Sequence, residues 1–120
     1  MKKFLFALMV GLLFWGRVAV AESENDLSPN EIYIFTQSTC SHCHAALRYL
    51  EKNYPDLKVR NMDISNAKNA ILFYRCAAKF KVESTHLGTP LFCMGSHYIL
   101  GWGSDEQKQF ESYVKEFLPE

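Results

Sequence analysis

The sequence contains the stretch Thr36-Gln37-Ser38-Thr39-Cys40-Ser41-His42-Cys43, in which two residues separate a pair of cysteines. The residues before it, Ile32-Tyr33-Ile34-Phe35, form a short apolar run of the kind that predicts a strand. The residues after it, Ala45 to Leu50, have the composition and apolar spacing of a helix. The cysteine pair is therefore expected where a strand ends and a helix begins.

That position has a chemical consequence for Cys40 and Cys43. The first turn of a helix has unpaired backbone N–H groups and carries the positive end of the helix dipole. Both favour the thiolate of a cysteine at the helix start over its thiol. Cys43 lies one turn further along, close enough to form a disulfide with Cys40. We therefore predict that Cys40 is a catalytic nucleophile and Cys43 its resolving thiol, joined as a redox disulfide.

Other functions of a C-x-x-C pair remain open at this point. The pair could supply two ligands of a zinc site, but that site would need a second ligand pair at metal spacing. Cys76 and Cys93 are instead single and far apart. A structural disulfide across so short a loop would constrain little of the unfolded chain. A soft metal could bind the thiols and imidazoles of one short run, Cys40, His42, Cys43 and His44. Redox chemistry is the favoured hypothesis, with no metal ligands and no cofactor expected.

The N-terminal residues predict export. Lys2 and Lys3 precede an apolar core, Phe4 to Trp15, that is too short to span a bilayer comfortably. Ala19-Val20-Ala21 has the pattern of a signal-peptidase cleavage site. Residues 1–21 are therefore predicted to be a signal peptide, with an uncleaved membrane anchor as the alternative. Secretion across the inner membrane would place the protein in the periplasm of a Gram-negative cell, where disulfides form and persist.

The charge balance argues against nucleic acid as a partner. The chain has 13 basic and 13 acidic residues. Three of the basic residues and none of the acidic ones lie in the predicted signal, so the mature chain has a formal charge of −3. Such a chain lacks the basic field that nucleic-acid binding requires.

We expect a soluble mature form that is a monomer.

Turn and breaker residues divide the rest into a short polar leader, residues 22–30, and one domain, residues 31–120. The predicted elements are a strand at 31–35, a helix at 40–53, a strand at 57–64, a helix from Ser65 or Asn66 to Phe80, strands at 91–94 and 97–100, and a last helix capped by Ser104. The order β-α-β-α-β-β-α predicts an α/β fold in which three helices flank a mixed four-stranded sheet on both faces.

The two remaining cysteines lie in apolar elements of this scheme. Cys76 is on the second predicted helix and Cys93 on the third predicted strand. Free cysteine is among the most buried residue types, so core thiols are the default prediction. A disulfide between them is the alternative, which export and the even number of cysteines favour.

Three parts of the sequence resemble the glutaredoxins, members of the thioredoxin-fold superfamily. The first is the run from Phe35 to Cys43, which is similar to the glutaredoxin active site. The second is Thr89-Pro90, at the place where the superfamily keeps a cis proline facing the cysteines. The third is Gly101-Trp102-Gly103-Ser104-Asp105, which is similar to the family's motif for the γ-glutamyl end of glutathione. The resemblance covers roughly Glu31 to Phe117 and implies the glutaredoxin form of the thioredoxin fold.

The resemblance also implies a binding site and a co-substrate. Glutathione is a possible co-substrate, and the positions implied for substrate binding are Gln37, His42, Thr89, Pro90, Ser104 and Asp105. Four departures concern this site. Gln37 replaces a usual lysine, Thr89 directly precedes the proline, Trp102 replaces a usual glycine, and Ser41-His42 replaces proline-tyrosine.

Two residues are expected to tune the active site. A histidine just before the second cysteine resembles the motifs of periplasmic thiol oxidases and protein disulfide isomerases. An imidazole at His42 can stabilise the Cys40 thiolate and so make the disulfide a stronger oxidant. Pro90 is expected to shape the substrate groove, and His44 is predicted to be a surface residue.

The predicted function is an exported thiol–disulfide oxidoreductase of glutaredoxin-like type. Its substrates would be cysteine-containing proteins, a partner redox protein, or mixed disulfides of glutathione. The alternative is a non-catalytic module that uses the same fold to bind a peptide or a soft metal, because a fold alone does not specify an activity.

Overall fold

The computed structural model describes residues 26–119. The predicted signal peptide and residues 22–25 of the predicted leader lie outside this range. The predicted order of elements is confirmed. The elements are β1 (Ile32–Thr36), α1 (Ser41–Asn53), β2 (Val59–Asp63), α2 (Ala67–Lys79), β3 (Leu91–Met94), β4 (His97–Leu100) and α3 (Ser104–Tyr113), which continues into a 3₁₀ turn (Val114–Phe117).

The four strands form one mixed sheet in the order β2-β1-β3-β4. β1 is parallel to β2 and antiparallel to β3, and β3 and β4 form an antiparallel hairpin. Every residue of β1 is buried, because this strand has a neighbour on each side and helices on both faces. The C-terminal end of β1 leads directly to the cysteine pair, so the most buried strand of the domain positions the candidate site.

Side chains of β1 alternate between two cores, as the pleat of a strand requires. The core beneath α1 and α3 consists of Ile32, Ile34, Ala46, Leu50, Phe92, Met94, Ile99, Phe110 and Val114. The core beneath α2 consists of Tyr33, Phe35, Met62, Leu72, Phe73, Cys76, Leu91 and Cys93. The helices therefore lie on both faces of the sheet, as predicted.

A partly buried tyrosine connects α1 to α3. The Tyr49 hydroxyl donates to Glu111 Oε1 at 3.0 Å, and the Tyr49 ring packs 5.2 Å from Trp102. Desolvation raises the pKa of Tyr49, and its hydrogen bond to Glu111 raises that pKa further. Trp102 also packs 5.6 Å from Phe92 and 6.4 Å from Phe110, so it lies between β3 and the last helix.

Two predicted boundaries were wrong. β2 is shorter than residues 57–64 because β1 provides only five partners, from Ile32 opposite Val59 to Thr36 opposite Asp63. The N-cap of α3 is Gly103 rather than Ser104, and no side chain caps this helix. Ser104 already belongs to the first turn. Gly103 has an extended backbone, with φ −174° and ψ −167°, that leads into the helix.

The default prediction of free thiols at Cys76 and Cys93 was also wrong. Both residues are buried core residues, 0% and 4% exposed, as expected. They are, however, joined in a disulfide that links α2 to β3 across 6.4 Å between their Cα atoms. The two cysteines project into the same core because α2 packs directly on the face of the sheet toward which Cys93 points.

Length and hydropathy also bear on whether the domain could cross a membrane. Among residues 26–119, no helix combines the length and the apolar character that a membrane span needs.

Candidate active site

The Cys40–Cys43 pair lies at the N-terminus of α1. Cys40 is the N-cap residue, with an extended backbone at φ −90° and ψ 106°. Its Sγ accepts a hydrogen bond from the Cys43 N–H at 3.1 Å. The two residues form a disulfide, with their Cα atoms 5.2 Å apart. The predicted placement of the pair at a strand-to-helix junction is therefore confirmed.

The two cysteines differ in accessibility. Cys43 is only 1% exposed, whereas Cys40 is partly exposed. Once the disulfide is reduced, Cys40 can meet a partner from solvent while Cys43 stays beneath it. The N–H that reaches Cys40 Sγ belongs to the first turn of the helix, where backbone donors stabilise negative charge. The geometry therefore suits Cys40 as the attacking thiolate and Cys43 as the second thiol.

A second segment approaches the pair from the loop before β3. The Thr89 carbonyl oxygen lies 3.5 Å from Cys40 Sγ, and the Thr89–Pro90 peptide bond is cis. Pro90 is fully buried, and its carbonyl accepts the Gly101 N–H at 2.8 Å. Because proline has no N–H of its own, the backbone at Pro90 places no donor beside the sulfurs. The end of β4 thus supports the proline that faces the cysteine pair.

Gln37 joins the same cluster. It is exposed, and its Oε1 accepts a hydrogen bond from Thr89 Oγ1 at 3.3 Å. This contact bridges the turn before Cys40 to the loop that carries Pro90. The structure therefore brings together Gln37, Cys40, Cys43, Thr89 and Pro90, which the sequence had separated by up to 53 positions.

Ser104 and Asp105, the other two positions implied for substrate binding, begin α3. Both are exposed residues of the first turn of α3, which follows Gly101 by way of Trp102 and Gly103. The acidic side chain of Asp105 is at the positive end of that helix, where negative charge is favourable. The hydrogen bonds described for residues 26–119 connect neither residue directly to the cysteines.

The two histidines of the active-site stretch differ in their contacts. His42 is exposed, and the polar groups recorded at Cys40 Sγ within the described range are the Cys43 N–H and the Thr89 carbonyl. His44 is exposed too, as predicted, but its Nε2 lies 2.8 Å from the Ser38 carbonyl oxygen. Sequence reasoning missed this contact. A signal was available, because a helical side chain four residues past the N-cap is directed back toward the helix start.

Metal binding was one of the alternatives for this stretch. In the part of the chain from 26 to 119, no group of three or more His, Cys, Asp or Glu side chains is arranged to hold a metal ion.

Solved structures that are similar to this chain include the glutaredoxin grx-1 from Archaeoglobus fulgidus. The two share 20% sequence identity and superpose with a TM-score of 0.50 over 68% of this chain and 83% of that one. The fold is thioredoxin/glutaredoxin-like. A glutaredoxin–glutathione complex from buckwheat is a further similar structure, at 11% identity and a TM-score of 0.49 over 72% of this chain and 74% of that one. No protein-family model and no curated protein sequence matches the chain.

Proposed function

We propose that this thioredoxin-like protein is an exported thiol–disulfide oxidoreductase. The observation that carries the proposal is the asymmetric cysteine pair at the N-terminus of α1. Cys40 is the more accessible residue and its Sγ accepts a helix N–H at 3.1 Å, while Cys43 is buried. This is the arrangement that thiol–disulfide exchange needs, because one thiolate must meet a substrate and the other must displace it.

The reaction proceeds in two exchanges. The Cys40 thiolate attacks one sulfur of a substrate disulfide, a mixed disulfide forms, and the other substrate sulfur leaves as a thiolate. Cys43 then loses its proton and attacks Cys40 Sγ, which releases the second substrate thiolate and leaves the Cys40–Cys43 disulfide. The substrate gains two electrons and the protein loses two. The same steps in reverse transfer the disulfide to a substrate dithiol, so one site serves either direction.

The surroundings of Cys40 suit an extended substrate with a cysteine in it. Thr89 and Pro90 border the sulfur, and Gln37 lies beside Thr89. We propose that these residues form the substrate groove, with Ser104 and Asp105 at its far edge, and that the protein acts as a monomer on cysteine-containing proteins. Glutathione mixed disulfides are the proposed small substrates, held at the same positions.

Turnover of defined disulfides tests the proposal. The reduced protein should reduce insulin in the presence of dithiothreitol, and hydroxyethyl disulfide in the presence of glutathione. The potential of the Cys40–Cys43 pair should be measurable by equilibrium with glutathione buffers. Absence of exchange in all three assays, together with stoichiometric tight binding of zinc by the reduced protein, would instead support a binding module.

Export rests on the N-terminal sequence and has a separate test. We propose cleavage after Ala21, which gives a mature chain that begins at Glu22. Expression of the full chain in a Gram-negative host followed by osmotic shock should release a protein with that N-terminus. Retention of Met1 or of the apolar stretch in the released or membrane fraction would contradict cleavage.

We also propose that His42 tunes the reduction potential of the pair, and this gives a quantitative prediction. We expect His42→Tyr, which restores a glutaredoxin-like dipeptide, to make the reduction potential more negative by about 30 mV, because the reduced state would lose the proposed interaction of the imidazole with the Cys40 thiolate. Equilibrium with glutathione buffers measures the shift, and ultraviolet absorbance against pH follows the Cys40 thiolate. An unchanged potential would remove His42 from the tuning residues and with it the main reason to favour an oxidising role.

A further inference from the structure

His44 makes a hydrogen bond that connects α1 to the turn before it. Its Nε2 lies 2.8 Å from the Ser38 carbonyl oxygen, although six positions separate the two residues in sequence. A carbonyl oxygen can only accept, so the imidazole donates from Nε2 in this contact. The ring reaches the turn because side chains of a helix are directed toward its N-terminus.

The turn that His44 contacts carries the reacting sulfur. Its backbone is closed by one bond, from the Cys40 N–H to the Gln37 carbonyl at 3.1 Å. The side chain of Gln37 meets Thr89 on the other side of the site. Ser38 itself is exposed and lies between these two anchors. Among the contacts of residues 26–119, the imidazole therefore adds a third attachment, at the middle of a turn whose other two attachments are at its ends.

We propose that His44 is a positioning residue for Cys40, because its Nε2–H holds the Gln37–Cys40 turn against the first turn of α1. The inference rests on the proposed exchange reaction and assigns His44 a role in it. With the turn fixed, Cys40 Sγ stays in line with the Cys43 N–H and beside Thr89. Without that bond, the turn is free to move and Cys40 spends less time in the geometry that stabilises its thiolate.

Two substitutions separate the hydrogen bond from the bulk of the ring. His44→Phe keeps a ring and removes the donor, whereas His44→Gln removes the ring and keeps an N–H donor. His86→Phe is the matched control, since His86 is an exposed histidine whose ring lies near Glu83 and Thr85. The primary readout is the rate at which iodoacetamide alkylates Cys40 in the reduced protein, with the site confirmed by mass spectrometry. Insulin reduction is the second readout.

Loss of one hydrogen bond should slow both reactions of His44→Phe by about three- to tenfold, while His44→Gln and His86→Phe stay within about twofold of the unmodified protein. In the unmodified protein, the ¹⁵N spectrum of the neutral His44 ring should show the proton on Nε2. Equal alkylation rates in all variants, equal slowing by Phe and Gln, or a proton on Nδ1 would each overturn the proposal. Alkylation does not require turnover, so failure of the exchange reaction would be visible separately as absent insulin reduction.

Discussion

Cys40→Ser is expected to abolish disulfide exchange. Cys40 is the more accessible residue of the pair, and its Sγ accepts an N–H at the N-terminus of α1, where a thiolate would be favoured. A serine hydroxyl at this position is not ionised at neutral pH and cannot form the mixed disulfide. Removing a nucleophile from an enzyme can cost up to about 10⁶-fold, and we expect a loss of at least about 100-fold here. Insulin reduction and reduction of hydroxyethyl disulfide measure it.

The matched control for this variant is Ser41→Ala, which changes the exposed residue between the cysteines and leaves both sulfurs in place. It should retain activity within about twofold, the range expected of a surface change that breaks no buried interaction. Turnover by Cys40→Ser comparable to that of Ser41→Ala would show that Cys40 is not the nucleophile. A comparable loss in both variants would point to damage to the start of α1 instead.

Removal of the second disulfide is expected to cost stability rather than chemistry. Cys76 and Cys93 are 17 positions apart, and closing a loop of that length lowers the entropy of the unfolded chain. The chain-entropy relation gives about 3 kcal/mol for such a loop at 25 °C, before any cost of the cavity that two smaller side chains leave. Cys76→Ala/Cys93→Ala should therefore lower the free energy of unfolding by about 3 kcal/mol or more, measured by urea denaturation without reductant.

Cys40→Ser/Cys43→Ser is the control for this stability change. Its loop spans only 3 positions, for which the same relation gives about 1.5 kcal/mol. The count of free thiols provides an independent check, because the air-oxidised protein should expose none when it unfolds without reductant. Two free thiols after unfolding, or equal stability of the Ala/Ala variant and the unmodified protein, would contradict a bridge between Cys76 and Cys93.

The fold was predictable because the turn residues at the ends of the strands and the order of strands and helices along the chain indicate the same architecture. The bounds of β3 and β4 match the prediction residue for residue, since Thr89-Pro90 and Gly95-Ser96 mark where pairing must stop. β1 and β2 are parallel, as is expected of two neighbouring strands with a helix between them. The position of the cysteine pair was also predictable. An apolar run that predicts a strand precedes Cys40 and a helical pattern follows Cys43, so the pair had to lie at the junction of the two elements.

Other features depend on distances that a sequence does not contain. Cys76 and Cys93 pair because α2 packs on the face toward which Cys93 points, and neither spacing nor composition gives that face. The contact of His44 with Ser38 depends on the path of the turn before the helix. The N-cap of α3 is Gly103, although Ser104 is the better cap by its chemistry, because the helix begins one residue earlier than the side-chain preference indicates.

The central claim is that Cys40 attacks and Cys43 resolves, and one trapping measurement tests it most directly. The protein with Cys43→Ser, reduced and then mixed with hydroxyethyl disulfide, cannot complete the second exchange. We predict that intact-mass and peptide mass spectrometry will find one mercaptoethanol adduct, located on Cys40, while Cys40→Ser accumulates none at a comparable rate. An adduct that forms on Cys43 in Cys40→Ser as fast as on Cys40 in Cys43→Ser, or no adduct in either variant, would contradict the claim.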